Sequence, residues 1–455
     1  MPPKKAPFLT KPYGGYLHRD VPEDDRELTR VGPDTPMGEY LRRFWQPLLL
    51  SQQIADLPVP ITRLGEELIA FRDGNGRVGV VEAHCPHRGT SLEYGKVEQR
   101  GIRCCYHGWL FDVDGRILET PGEPETSTLK DRLCHGAYPA IEYGGLVFAY
   151  MGPPEHTPEF PNFDLYSVPG YHLEPGVHLM PTEDGVVPNP KPCNWLQVVD
   201  NLLDPIHEEF LHATISGIQF VDKSGAPIQE LAINGELAFV ESPTGIITMD
   251  VRRVSPDTVW VRNIEFLWPN MGCLGAPPTL PYEWGPDEEE FHDLPTTLMW
   301  VVPVDDHNCV EIDFYLVPDG SRVPPERRFS VAQRANRGGR EYELMQRGPG
   351  DFEAMISQRP IAVHALEHLG VEDRGLTMYR KGLRRRVRML KDGQSPPEVE
   401  VMAQRMVNTF GGDTLLRASE AEDRSKDRKL LKKLGTEMAE RYLRELPNRP
   451  GNGAG

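Results

Sequence analysis

Cys85-Pro-His87-Arg-Gly89 and, with sixteen residues between His87 and it, Cys104-Cys-Tyr-His107-Gly-Trp109 decide how this chain is read. Each stretch offers a thiol and an imidazole on a short loop containing glycine. Apolar segments surround both: residues 61–72 and 78–83 flank Asp73-Gly-Asn-Gly76, and residues 111–112 and 116–118 flank Asp114-Gly115. Such segments around glycine turns predict β-hairpins, which lets the two loops face one another across a gap. Two thiolates suit one ferric ion and two imidazoles a second. Neutral ligands on the second ion raise the reduction potential to roughly −150 to +300 mV, above that of an all-cysteine cluster. A structural Cys₂His₂ zinc site uses the same residue types, but zinc knuckles usually pair like ligands, whereas cysteine and histidine alternate here.

A second constellation lies downstream, in Asn194-Trp-Leu-Gln-Val-Val-Asp200-Asn-Leu-Leu-Asp204-Pro-Ile-His207-Glu-Glu-Phe-Leu-His212. Two histidines and one carboxylate on one face of Fe(II) leave positions open for O₂ and substrate. His207 and His212 supply two such ligands. Five residues along a regular helix rotate by about 140°, so the helix must bulge or end between them. Asp204 followed by proline also makes a good N-cap and N1 pair. Asp200 reads either as lining the same path or as solvated. His364 and His368, at helical spacing, read as a packed or solvated pair, and Asp305-Asp-His-Asn308 as a hairpin turn.

The two loops closely resemble those of the Rieske family, and Asp204-x-x-His207-x-x-x-x-His212 matches the mononuclear-iron motif of its oxygenases. The resemblance covers about residues 28–392 and is greatest to the phthalate-dioxygenase branch. It implies that Cys85 and Cys104 hold one iron of a [2Fe–2S] cluster and His87 and His107 the other. The chain departs from the family at Cys105, where proline is usual; spacing favours Cys104 as the ligand, and Cys105 reads as a small apolar substitute. Asp204 is implied to link His207 to a cluster histidine of an adjacent subunit. The third iron ligand is implied to be Asp351, in Gly348-Pro-Gly-Asp351-Phe-Glu353, at the start of a helix, with Glu353 as the alternative. A Rieske electron carrier without its own chemistry would have a membrane anchor and a second, bridged cysteine pair. Thr90 and Tyr106 stand where that pair would be, and the chain beyond Pro154 would have no purpose in a carrier.

The implied fold is α+β: an all-β Rieske domain, then a catalytic domain with a curved antiparallel sheet and helices carrying the iron ligands. Expected boundaries are 1–45 for an arm and a helix over 29–45, 46–153 for the cluster domain, 154–392 for the catalytic domain and 393–455 for a helical tail. Residues 155–190 read as irregular, and strands are expected at 231–233, 236–240, 246–254, 258–266, 297–302 and 310–316, with helical, charged sequence from 325 onward. The 44 prolines and 43 glycines agree with long loops and short strands. The formal net charge of −18 excludes nucleic acid and anionic lipid as natural partners. The basic run Arg380 to Lys391 reads as a solvated helix face, with docking of an acidic partner as the other reading. No apolar run is long enough to span a membrane, Met1–Leu28 predicts no secretory signal, and seven cysteines suit a reducing cytoplasm.

The activity implied is that of an oxygenase component acting on a small aromatic substrate with O₂. Mono- and dioxygenation both fit; O-demethylation of a methoxylated, lignin-derived aromatic acid is favoured over ring hydroxylation or cis-dihydroxylation. The branch implies a homotrimer or a pair of trimers. It also implies a separate NAD(P)H-dependent reductase with flavin and a ferredoxin-type cluster, since no dinucleotide-binding glycine motif follows a strand here. Trp268, Met271 and Trp300 read as core. An arginine for a substrate carboxylate is expected among Arg252, Arg253 and Arg262.

Overall fold

The computed structural model describes residues 9–18, 21–177, 179–182, 185–188, 190–218, 220, 227–275, 289–293, 295–321, 342–404 and 406–444. The helical reading of residues 325–341 falls outside them. The chain is α+β, as expected. β1 (Trp45–Leu50) pairs with β11 (Leu146–Tyr150), which pairs with β10 (Ala140–Tyr143). Two four-stranded antiparallel sheets carry the cysteine–histidine loops. One orders β2 (Val59–Arg63), β3 (Glu66–Arg72), β4 (Val78–Glu82) and β9 (Ala137–Tyr138). The other orders β5 (Lys96–Val97), β6 (Ile102–Arg103), β7 (Leu110–Phe111) and β8 (Ile117–Glu119). Cys85 follows β4 and Cys104 follows β6, over a core that includes Ile69, Phe71, Val81, Leu92, Ile102 and Phe111.

A nine-stranded antiparallel sheet forms the second body. Its order is β13 (Tyr171–Val177), β22 (Cys309–Pro318), β21 (Pro295–Pro303), β19 (Met271–Gly275), β18 (Thr258–Leu267), β17 (Gly245–Ser255), β16 (Glu236–Glu241). β24 (Gly412–Arg417) pairs with both β18 and β20 (Glu290–His292). A hairpin, β14 (Leu179–Thr182) with β15 (Gly185–Pro188), and a parallel pair, β12 (Asn162–Phe163) with β23 (Met406–Val407), complete the strands. β17 and β18 are buried along most of their length because helices cover both faces. Ile247, Met249, Val251, Val259 and Val261 face the helix Arg424–Tyr442. Ile246 and Phe266 join the main core with Trp195, Trp268 and Tyr379 on the opposite side. The same core takes in Leu48, Val147 and Phe148, so β1 and β11 pack against the large sheet.

Several local expectations give way. Residues 61–72 are two strands, because Leu64 (φ 50°) and Gly65 (φ 75°) turn the chain back. The helix expected over 29–45 is confined to Pro36–Leu41, capped by the Thr35 side chain, and Trp45 already opens β1. Residues 155–190 are not wholly irregular: β13 pairs with β22 from Tyr171 to Val177. Gln229–Ala232 forms one tight helical turn rather than a strand, and β16 pairs with β17 instead. The tail beyond 392 is not purely helical, since β24 inserts into the large sheet and buries Leu415.

The basic run is a solvated face only in part: Lys381, Arg388 and Lys391 are exposed. It lies on the helix Arg374–Lys391, and its other four cations meet carboxylates. Arg380 pairs with Asp200 and Glu367, Arg384 with Asp25 and Glu27, and Arg385 with Glu241. Arg386 is 4 % exposed, 2.8 Å from the fully buried Glu398 and 3.8 Å above the Trp268 ring. Removing one member of such a pair leaves an uncompensated buried charge, at a cost of about 3–5 kcal/mol. Arg386→Met is therefore expected to lower unfolding stability by about that much, whereas the exposed Lys381→Met stays within about 0.5 kcal/mol. Urea denaturation of both variants checks this; equal effects would contradict the pairing.

Candidate metal centres

The two cysteine–histidine loops are built alike. The Cys85 N–H donates to Thr90 O (2.9 Å) and the Gly89 N–H to Cys85 O (2.8 Å). In the second loop the Cys104 N–H donates to Trp109 O (2.8 Å) and the Gly108 N–H to Cys104 O (3.1 Å). Gly89 (φ 77°) and Gly108 (φ 72°) take the left-handed backbone that closes each turn. The Cys85 and Cys104 thiols are buried together, while Cys105 is exposed. His87 and His107 lie 4.4 Å apart between ring centroids at the solvent-facing tip, with His87 stacked on Trp109. Burial, with Cys104 alongside, pushes the Cys85 thiol up to about 11 although the His87 and Arg88 amides favour its thiolate. Two adjacent thiols held this way ionise together only against a cation, which fits a two-thiolate, two-imidazole cluster.

The second centre draws on two helices. Asn194 caps the helix Trp195–Leu202, and the short helix Ile206–Leu211 follows. His207 lies inside the short helix, and His212 is its C-cap, so the helix ends between them and no bulge is needed. Asp351 opens the helix Asp351–Ile356. Its Oδ1 is 3.0 Å from His212 Nε2 and 3.4 Å from His207 Nε2. Ligand atoms of the three residues all lie within 4.8 Å of one another. His207 Nδ1 donates to the Asp204 carbonyl, so Nε2 is the ring nitrogen turned towards Asp351. The Asn201 amide donates to Asp351 Oδ1 (3.3 Å), and Phe220 sits edge-on to His212 at 5.1 Å.

The two imidazoles and the carboxylate shift one another's titration. Burial disfavours charge on His207, but the Asp351 carboxylate outweighs it and lifts the imidazole to about 9. Burial likewise disfavours the Asp351 anion, yet hydrogen bonds from both imidazoles hold it well below the usual carboxylate range. A carboxylate kept ionised beside two imidazole Nε2 atoms is the donor set of a non-haem Fe(II) site. Below it lies a buried charge cluster. Glu208 contacts Arg262 Nε at 3.0 Å, Arg262 approaches Asp413 at 3.5 Å, and Arg252 pairs with Asp250. Burial pushes Asp413 up to about 7 and Asp250 up to about 6, despite the arginines.

One buried amide brings the two helices together. Gln197 donates to Met355 O (2.9 Å) and Arg359 O (3.1 Å) and accepts from the Ala362 N–H (2.9 Å). Arg359 carries φ 85°, a left-handed conformation that a non-glycine residue holds only when its surroundings impose it. Gln197 and Asn201 were not singled out in the sequence. A polar residue inside the otherwise apolar run Trp195-Leu-Gln-Val-Val199 was the available signal for Gln197.

Other expectations resolve plainly. Glu353 is occupied as a cap, accepting from the Gly350 N–H at 2.9 Å, and lies outside the triad. Asp204 Oδ1 accepts from the Ile206 N–H at 3.0 Å, and burial raises its carboxyl above the ordinary range. Asp200 neither faces solvent nor is left to line a path, since Arg380 pairs with it. His364 lies 3.5 Å from Asp25, not at a metal cluster, and Asp305 accepts from the His307 N–H inside a turn. Trp268, Met271 and Trp300 belong to the core. All three arginines considered for a substrate carboxylate are already paired: Arg252 with Asp250, Arg253 with Asp427, Arg262 with Glu208.

Residues 44–130 match the Rieske [2Fe-2S] domain. The chain is 41 % identical over 452 residues to the tert-butanol monooxygenase / tert-amyl alcohol desaturase oxygenase subunit of Aquincola tertiaricarbonis, covering 92 % of this chain and 89 % of that one. It is 30 % identical over 386 residues to the 5,5'-dehydrodivanillate O-demethylase oxygenase subunit of a Sphingobium strain, covering 83 % and 82 %. Its fold is like that of Pseudomonas putida CBB5 NdmA solved with caffeine, with a TM-score of 0.58 at 17 % identity over 85 % of this chain and 99 % of that one.

Gln197→Leu keeps the bulk of the side chain but leaves Met355 O, Arg359 O and Ala362 N–H unpaired, each at a cost of about 1–3 kcal/mol. The expected outcome is loss of tightly bound mononuclear iron, with the visible absorption of the cluster retained. Metal analysis alongside the absorption spectrum checks this; full iron content in the variant would contradict the clamp.

Proposed function

The chain belongs to the oxygenase (alpha) components of the Rieske non-haem iron oxygenases, in the phthalate-dioxygenase-like branch, and on that premise we propose which residues hold its irons and what it oxidises. It is an enzyme of a Rieske system acting on aromatic or alkyl substrates, with a [2Fe–2S] cluster, a mononuclear iron and NAD(P)H electrons delivered through a reductase. Cys85 and Cys104 hold one cluster iron, His87 and His107 the other, and His207, His212 and Asp351 the mononuclear iron. The observation that carries this reading is the convergence of two Nε2 atoms and one carboxylate within 4.8 Å in a chain that also presents the paired cysteine–histidine loops.

When bound, the two centres supply one electron each for the reductive activation of O₂. The protein's own part is positional. The Asp204 carbonyl fixes the His207 tautomer, Asn201 orients the Asp351 carboxylate, and Phe220 with the 1 % exposed His212 keeps bulk water from that side. The Asp204 carboxylate is read as the bridge to His87 or His107 of an adjacent subunit in a trimer or hexamer. Its half-buried position beside His207 supports this.

For the reaction, the reading is monooxygenation of a C–H bond next to oxygen, with O-demethylation of a methoxylated aromatic as its first form. The O-demethylase name of one relative supports it. A second reading is an uncharged substrate such as a tertiary alcohol. The pairing of Arg252, Arg253 and Arg262 with internal carboxylates favours it, as does the tert-butanol monooxygenase name of the 41 % identical relative. A substrate screen with NADH and a surrogate reductase distinguishes them. Formaldehyde release from methoxylated aromatic acids supports the first, and turnover confined to neutral alcohols or ethers supports the second. Formation of an aromatic cis-dihydrodiol alone contradicts both.

Iron is expected at about three per chain. Asp351→Asn should remove about one of these and leave the cluster spectrum intact. Asp204→Asn should keep all three irons and suppress product formation. A colourless, zinc-only protein would overturn the assignment, and undiminished turnover in Asp204→Asn would overturn the bridge.

A further inference from the structure

A pocket runs into the core between β1, β11, β19, β21 and the helix Pro397–Gln404. Among the described residues its inner wall is made by Trp45, Phe148, Phe163, Met271, Trp300 and Met402, each at most 7 % exposed. Its rim lies at the surface, where Glu159 is exposed and Arg43, Pro158 and Pro161 are half-buried. The pocket therefore leads from solvent into the interior. Aromatic packing holds the wall in place. Phe148 and Phe163 stand edge-on to Trp300, at 5.7 and 6.4 Å, and Met271 pairs with Trp300 across the two strands. The Trp45 indole N–H is taken up by Pro158 O at 3.0 Å, and the surface turned to the pocket is almost wholly apolar.

Size and chemistry together select the guest. A space of about 10–15 Å³ admits one water-sized molecule. The pocket offers about 20 Å³ on the same measure, room for a diatomic gas and none for an aromatic ring. Water gains little there, because it needs about two to four polar partners. An apolar guest gives up no hydrogen bonds on leaving solvent and finds dispersion contacts that an empty void forfeits.

The apolar core continues from this pocket to the supports of the iron triad. The cluster of buried residues that holds the inner wall also contains Trp195 and Val199, from the helix that leads to His207. It contains Met355 as well, from the helix that Asp351 opens. A Cβ on Gly272, next to Met271, would meet Leu202 Cδ1 at 3.9 Å, so the strand that lines the pocket touches the end of that first helix. His212 is 1 % exposed, which leaves an apolar gas a route through this core that bulk water does not share.

We propose that this pocket is a binding site for dioxygen, which enters at the Arg43–Glu159 rim and reaches the mononuclear iron site through the apolar core. The inference rests on the iron assignment above for the consumer of the gas, and it is independent of which substrate is oxidised.

The test uses the full chain with its metals, with xenon and nitric oxide as stand-ins for dioxygen. Crystals are pressurised with xenon and the anomalous signal is mapped. A xenon peak among Phe148, Phe163, Met271 and Trp300 is expected. In solution the reduced protein is mixed with nitric oxide, and formation of the ferrous nitrosyl is timed by its absorption and identified by its electron paramagnetic resonance. Ala403→Leu, which enlarges a side chain of the wall, should remove the xenon peak and slow nitric oxide association severalfold at unchanged iron content. Xenon pressure on the unaltered protein should slow the same step, so the test stands even if the variant does not fold. An empty pocket in the xenon map would overturn the proposal. So would an association rate that neither xenon nor Ala403→Leu changes, the result that a mere packing defect gives. A protein that forms no nitrosyl at all would contradict the iron assignment instead, and the xenon map would then decide the pocket alone.

Discussion

The triple hydrogen bond of Gln197 is the constraint on which the mononuclear site depends. Its amide reaches Met355, Arg359 and Ala362, up to 165 residues away in sequence. It thereby fixes the helix that begins with Asp351 against the helix that leads to His207. Bringing two imidazoles and a carboxylate to one point has no local driving force in the chain, and the folded scaffold must impose it. An amide with its donors and its acceptor matched is suited to that task, because each unmatched group would cost free energy in the buried interior. The backbone around it complies: Arg359 holds a left-handed conformation so that its carbonyl meets the clamp.

The same economy governs the charges. A chain of formal net charge −18 buries several arginines near the site, and each described one meets a carboxylate. Glu208 links the short helix to Arg262 on the sheet through its side chain, while its carbonyl accepts from the His212 N–H at 3.2 Å. That residue thus ties the depth of the helix to the position of its second histidine. The two centres contrast in exposure. His87 stands at the solvent-facing tip of its domain, where a partner can approach, and His212 is 1 % exposed in the interior. Electron entry calls for a surface, whereas oxygen chemistry calls for exclusion of water.

What the sequence reveals follows the range of the interactions. The cluster loops are local, with ligands, glycines and turn bonds inside a few residues, and they read directly. His207 and His212 read directly too, together with the need for the helix to bulge or end between them, and it ends. Asp351 came from resemblance alone, because its contact with His212 spans 139 residues and no spacing encodes it. The basic run was misread in part for the same reason: Asp25, Glu241 and Glu398 pair with Arg384, Arg385 and Arg386 from other segments. β24 escaped notice because a six-residue strand in an otherwise helical tail is defined by its partners β18 and β20. The turn at Leu64-Gly65 was missed although polar residues, Thr62-Arg63 and Glu66-Glu67, flank it on both sides.

An anomalous difference map at the iron absorption edge, from crystals of the protein purified with its metals, tests the central claim most directly. The account predicts two adjoining iron peaks between the Cys85/Cys104 sulfurs and the His87/His107 rings. It predicts a third, separate peak within bonding distance of His207 Nε2, His212 Nε2 and the Asp351 carboxylate. A map without the third peak, or with that iron bound while Asp351 lies apart from it, would contradict the account.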